Sequence, residues 1–131
     1  MRSWPSVVLA LALAGCGTEV PPDDSEGEGS GSNMPEVVDP NVCDTSYLDY
    51  QNFGAPFVIN WCRGCHSSAV PMTMRQKAPI DVNFDNLDQV RTWGAKIAIR
   101  ATGMTPNMPP AGGPSSEERS LLAEWLACGV K

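Results

Sequence analysis

Trp61-Cys62-Arg63-Gly64-Cys65-His66 is the stretch on which the reading of this chain turns. It spells C-x-x-C-H, the spacing at which a chain attaches a c-type haem. Two thiols so placed can each form a thioether to one of the two vinyl groups of a single porphyrin. The adjoining His66 then offers an imidazole nitrogen as the proximal ligand of the iron. Cys62 and Cys65 are therefore expected to hold one covalent haem c, and His66 to ligate its iron.

Three rival readings use the same residues. Trp-Cys-x-x-Cys is also the core of thioredoxin-like oxidoreductases, and Phe57-Val58-Ile59 before it reads as a strand. That fold needs a strand and a helix before the motif, and too few ordered residues precede Cys62 to supply them. A zinc site needs more donors than one C-x-x-C and an adjacent His, which cannot easily reach one tetrahedral ion together. The third rival is a chance match in a structural loop.

Outward from the motif, the 131 residues allow one domain. The first stretch is not part of it. Arg2 gives a positive start, Val7 to Ala14 an apolar run, and Leu13-Ala14-Gly15-Cys16 a small-residue end, so residues 1–15 read as a secretion signal. The apolar run is too short to span a bilayer. Leu-Ala-Gly-Cys resembles the lipobox of bacterial lipoproteins, which implies cleavage before Cys16 and a diacylglyceryl group on its sulfur. The alternative is ordinary cleavage after Ala12-Leu13-Ala14. The resemblance implies an extracytoplasmic, periplasmic-side protein lipid-anchored to a bacterial membrane. Because Gly17 is not Asp, the outer membrane is favoured where there are two.

Residues 16–40 read as the lipidated Cys and an acidic tether. Glu19, Asp23, Asp24, Glu26, Glu28, Glu36 and Asp39 lie there with no Lys or Arg, and Pro21-Pro22 and the Gly/Ser run 27–32 oppose helix and strand. As a flexible coil this stretch spans about 25–30 Å. It also carries the acidity: the whole chain has net charge −6, whereas residues 41–131 hold eight acids and eight bases. Arg63, Arg75, Lys77, Arg91, Lys96 and Arg100 outnumber the acids near the motif, which suggests a mildly positive rim for an acidic partner. There is no basic run or module that points to nucleic acid.

The domain, residues 41–131, is expected to be all-α with three main helices. The first spans Tyr47 to Trp61, interrupted by Gly54 and Pro56, with Phe53, Phe57 and Trp61 on one face. The second spans Asn86 to Ala101 with Asp85 as its cap and a stripe of Leu87, Val90, Gly94, Ile97 and Ala101. The third opens on the capping box Ser115-Ser116-Glu117-Glu118, carries Leu121, Leu122, Trp125 and Cys128, and stops at Gly129.

An N-terminal helix ending in C-x-x-C-H and a C-terminal helix rich in aromatic contacts resemble the class I c-type cytochromes over most of residues 43–131. The resemblance implies three helices wrapped around one covalently bound haem. It also implies a crossing at which Gly54 and Phe57 meet Trp125. Met108-Pro109-Pro110-Ala111 resembles the family's distal ligand loop. Met72 and Met74 follow His66 too closely to reach its opposite face, so Met108 is the expected sixth ligand and Met104 the fallback. In the family a proline carbonyl about a dozen residues on often orients the proximal imidazole. Pro79 is the candidate, with Pro71 behind it. Arg75 or Lys77 is expected at a haem propionate.

Cys16 taken by lipid and Cys62 and Cys65 by haem leave Cys43 and Cys128. Exported chains seldom keep idle thiols, so a disulfide is expected between them; the alternative is two buried free thiols. The resulting expectation is a membrane-tethered monohaem electron carrier, a monomer and not an enzyme, that meets extracytoplasmic redox partners transiently. If the distal methionine were absent or labile, the iron would instead bind peroxide or a diatomic gas, and no distal His or Arg motif supports that.

Overall fold

The computed structural model describes residues 34–131. The expected signal segment 1–15, the lipidation at Cys16 and the tether up to residue 33 lie outside the described residues. Among the described residues there is no strand. There are three α-helices: α1 Ala55–Trp61, α2 Leu87–Ala101 and α3 Ser116–Ala127. Two 3-10 turns, Pro40–Asp44 and Met72–Met74, and a π-helical turn, Tyr50–Gly54, complete the helical backbone. None of these helices is long and apolar enough to cross a membrane.

The π turn, α2 and α3 each start where a side chain satisfies free N–H groups. The expected first helix is two pieces and begins later than Tyr47. Asp49 Oδ1 accepts from the N–H groups of Gln51 and Asn52 at 2.7 and 2.8 Å, and Asn52 Oδ1 accepts from Asp49 N–H at 2.9 Å. The π turn then hands over to α1, whose Pro56 stands in the first turn, where no N–H is needed. α2 is capped by Asn86, which accepts from Gln89 N–H at 3.0 Å, and not by Asp85, whose carboxylate is engaged elsewhere. α3 has its expected box: Glu118 N–H donates to Ser115 Oγ at 3.2 Å and Ser115 N–H to Glu118 Oε2 at 2.8 Å. Gly129, at φ 86°, ends it in the left-handed conformation.

The helices bury one shared core. Val90, Ile97 and Ala101 of α2, Leu122 and Trp125 of α3, and Phe57 and Val58 of α1 meet there with Leu48, Phe84 and Val130. Trp125 is fully buried, and the π turn crosses over its indole. A Cβ at Gly54 would overlap the ring. Phe53 meets Trp125 edge-on with centroids 6.0 Å apart, and Tyr50 lies 6.4 Å away on it. The Gly54–Trp125 approach is thus as expected, while Phe53 and Tyr50 supply the aromatic contacts and Phe57 packs in the same core.

The ends of the domain are tied. Cys43 and Cys128 form a disulfide across 85 residues, with Cα atoms 5.2 Å apart. Glu36, at the end of the expected tether, already touches the domain: its N–H donates to Thr102 Oγ1 at 3.3 Å, and its carboxylate accepts from Ser120 Oγ at 3.0 Å. Closing a loop of this length stabilises a fold by about 4 kcal/mol through the entropy of the unfolded chain. Replacing Cys43 and Cys128 together by Ala is expected to cost about 2–5 kcal/mol in thermal or denaturant unfolding. A reductant should produce a similar loss in the unmodified chain and none in the double variant.

Candidate functional site

The motif sits on the turn that closes α1. Cys62 caps the helix through its N–H to Val58 O, and the N–H groups of Cys65 and His66 fold back onto Cys62 O at 3.1 and 2.9 Å. This brings Cys62, Cys65 and His66 to one cavity. Met108 lines the same cavity. Cys62 and Cys65 are not bonded to each other.

His66 is held on three sides. Its ring stacks on Phe84 with centroids 4.9 Å apart, its carbonyl accepts from Phe84 N–H at 2.9 Å, and its Nδ1 lies 3.1 Å from Val82 O. A carbonyl oxygen can only accept, so Nδ1 carries the proton and the Nε2 lone pair is left for a ligand. Burial, and secondarily the charge of Arg75, lower the pKa of the imidazole against the opposing pull of the Val82 bond, which favours the neutral, ligand-competent ring. The orienting carbonyl is therefore Val82, not Pro79 or Pro71. The chain turns at Pro79, where Val82 N–H donates to Pro79 O at 3.2 Å, so that the later carbonyl faces the ring.

Pro79 O is committed to Arg75 instead, at 2.7 Å. Arg75 is 1% exposed and organises the loop after the motif. Its five N–H groups reach Ala78 O, Ser67 O, Asn83 Oδ1, Pro79 O and Val82 O. All five donors are used inside the chain, so none is left for a propionate, and that expectation for Arg75 is withdrawn. Lys77 is exposed and lines the cavity. The loop passes through left-handed backbone at Gln76 and Lys77, with φ 51° and 71°. This conformation is costly for residues other than Gly. The Arg75 bonds to the Ala78 and Pro79 carbonyls hold the chain on its far side.

Asp85 fastens the same loop to the start of α2. Its Oδ2 accepts from the N–H and the hydroxyl of Ser68 at 2.9 and 2.7 Å, and Arg63 Nε lies 3.5 Å from Oδ1. The serine hydroxyls, Ser67 first, and the Ser68 N–H lower its pKa from 3.8 to about 2. A folded value below the unfolded one means that the unfolded chain binds the proton first as the pH falls. The stability from this carboxylate is therefore present above its ordinary titration and is lost as pH drops from about 4 to about 2. Acid unfolding in that window should be shallower in Asp85→Asn than in the wild type, with the two curves parallel above pH 5.

Arg119 ties the Met108 segment to the end of α2 and the start of α3. Its Nη1 donates to Ala101 O at 2.6 Å and to Met108 O at 2.9 Å, and Nε donates to Pro114 O at 3.3 Å. The Asn107 and Met108 N–H groups both donate to Arg100 O at 2.9 Å. Met108 is half-buried and faces the cavity, whereas Met104 is 97% exposed and Met72 and Met74 are also exposed, off the cavity lining. Met108 is the methionine that shares the cavity with His66; Met104, the fallback, does not.

The cavity measures about 450 Å³, within the range of small-molecule and cofactor sites. Trp61, Phe84, Trp93, Ile97 and Ala101 give it an apolar lining, and the exposed Lys77, Lys96 and Arg100 add positive charge with no carboxylate in the lining. Burial pushes the Cys62 thiol up to about 12, the opposite of what a thiol–disulfide nucleophile requires. Together with the strandless fold of the described residues, this disfavours the thioredoxin-like reading. Among the described residues no three His, Cys, Asp or Glu side chains converge on a bare metal-ion position. The donors present are two thiols, one imidazole and one thioether around an apolar cavity, the set that fits a covalently held porphyrin. Sequence reasoning missed Val82, Phe84 and Arg119. A backbone carbonyl has no residue-type signature, and an Arg that binds carbonyls looks like any surface cation. No family model matches this chain, and no curated protein or solved structure matches it.

Proposed function

We propose that this protein is a lipid-anchored, monohaem c-type cytochrome of class I type that carries single electrons between extracytoplasmic redox partners. The observation that carries the reading is the convergence of Cys62, Cys65, His66 and Met108 on one apolar cavity, with the His66 Nδ1 proton fixed on Val82 O. When bound, the haem supplies an iron centre that takes up and releases one electron. Cys62 and Cys65 would hold it by thioethers, His66 would ligate the iron through Nε2, and Met108 would complete the coordination through its thioether. Phe84 and Val82 keep the imidazole from turning, and Arg119 and the Arg100 carbonyl keep the Met108 segment from moving. A site whose ligands do not shift has little reorganisation to undergo when the charge changes, which suits a carrier. The rim of Lys77, Lys96 and Arg100 favours a weakly bound acidic partner. Cys16 would attach the domain to the membrane, and the acidic residues that follow would space it from the surface.

The test is a spectrum and a titration of protein exported by a bacterial host that has haem-attachment machinery. The expected result is a haem absorption spectrum that follows a single one-electron wave on stepwise reduction. Colourless protein, or a wave of two electrons centred on Cys62 and Cys65, would refute the proposal.

A further inference from the structure

We propose that Arg75 raises the reduction potential of the iron centre through the carbonyl that it shares with His66. This inference rests on the haem reading above and adds a named residue that tunes the couple. Val82 O accepts two hydrogen bonds, one from His66 Nδ1 at 3.1 Å and one from Arg75 Nη2 at 3.0 Å. The second donor carries a full positive charge. Arg75 is 1% exposed, and its remaining acceptors are three backbone carbonyls and the Asn83 side-chain oxygen. Every one of them is neutral. A buried cation without a carboxylate partner is a costly arrangement, and a neutral donor would serve a loop that only needed closing.

Two effects follow, with the same sign. A carbonyl that already accepts from a guanidinium is a poorer acceptor for Nδ1–H, so the imidazole keeps less imidazolate character and donates less density to the metal. The buried charge also opposes the oxidised iron more than the reduced iron, because oxidation adds one positive charge near it. Both favour the reduced state. Arg75 is thus a positioning and tuning residue that acts through His66 without touching the iron.

Asn83 gives a test that leaves Arg75 in place. Its Oδ1 accepts from Arg75 Nη1 at 2.9 Å, and its Nδ2 donates to Ile80 O at 2.9 Å. Asn83→Asp sets a carboxylate against the guanidinium with almost no change in shape. Asn83→Ala loses the same Ile80 bond and adds no charge. Midpoint potentials are measured by titration of each haem-loaded full chain at pH 7 against a chemical reductant. The expected result is a potential lowered in Asn83→Asp relative to both Asn83→Ala and wild type, lowered also in Arg75→Gln, and retained in Arg75→Lys. The haem spectrum should be unchanged in all four. Equal potentials for Asn83→Asp and Asn83→Ala, with the spectrum of the wild type intact, overturn the role of Arg75 and leave the carrier reading standing. Should Arg75→Gln fail to fold, the Asn83 pair decides alone. A wild type that carries no haem removes the carrier reading and this inference with it.

Discussion

Gly54→Val is expected to lower the thermal midpoint of the domain by roughly 10–20 °C, the shift that a loss of about 3 kcal/mol produces in a domain of this size. Gly54 is buried where the π turn crosses the fully buried Trp125, and even one added carbon would overlap the indole. In an ordinary helix the change from Gly to Val would help by roughly 0.3 kcal/mol through lower backbone entropy. Here the steric term opposes that gain and exceeds it, because packed interiors do not yield by the needed distance without moving other side chains. The indole is also wedged by Phe53 and Tyr50, so it has nowhere to retreat. The mechanism is checked by a double-mutant cycle. Gly54→Ala should cost stability in the wild-type background and much less beside Trp125→Leu, which makes room for it. A cycle in which the two costs simply add would show that Gly54 does not act through the indole.

Met108→Ala is the second large effect. If Met108 supplies the thioether, its removal opens a coordination position. The reduced protein should then bind carbon monoxide readily, and the midpoint potential should fall by on the order of 0.1–0.3 V, a fraction of the roughly 0.8 V that axial ligands span. Met104→Ala serves as the control. Met104 is exposed and off the cavity, so both properties should stay as in wild type. If Met104→Ala gives the effect and Met108→Ala does not, the two roles are reversed. If the wild type itself binds carbon monoxide at once, the closed-ligation carrier gives way to a gas- or peroxide-binding site. Arg119→Ala should produce a milder form of the Met108 phenotype, because Arg119 holds the Met108 carbonyl without offering a ligand.

The helices could be read from the sequence because their signals are local. The Ser115/Glu118 box fixes the start of α3, the 3.6-residue stripe from Leu87 to Ala101 fixes α2, and the glycine at 129 stops the chain. The first helical run starts later than Tyr47 because the box that opens its π turn pairs Asp49 with Asn52, a weaker signature than Ser with Glu. The cap of α2 slipped by one residue for a tertiary reason: Ser68, 17 residues away in sequence, takes the Asp85 carboxylate and leaves Asn86 to cap. The pairing of Cys43 with Cys128 was legible from the cysteine count, and the approach of Gly54 to Trp125 came from the family resemblance alone. The support of His66 was not. It rests on a carbonyl at Val82, whose position depends on how residues 67–83 wrap around Arg75, and nothing in the residue types along that loop announces the path.

A porphyrin covalently joined to Cys62 and Cys65 would show in the mass of one peptide. Protein exported with haem-attachment machinery is digested, and the fragment containing Cys62 to His66 is weighed. The expectation is that this fragment carries the mass of one haem through two thioethers and absorbs visible light. A fragment of unmodified mass, or one lighter by two hydrogens from a Cys62–Cys65 disulfide, would contradict it.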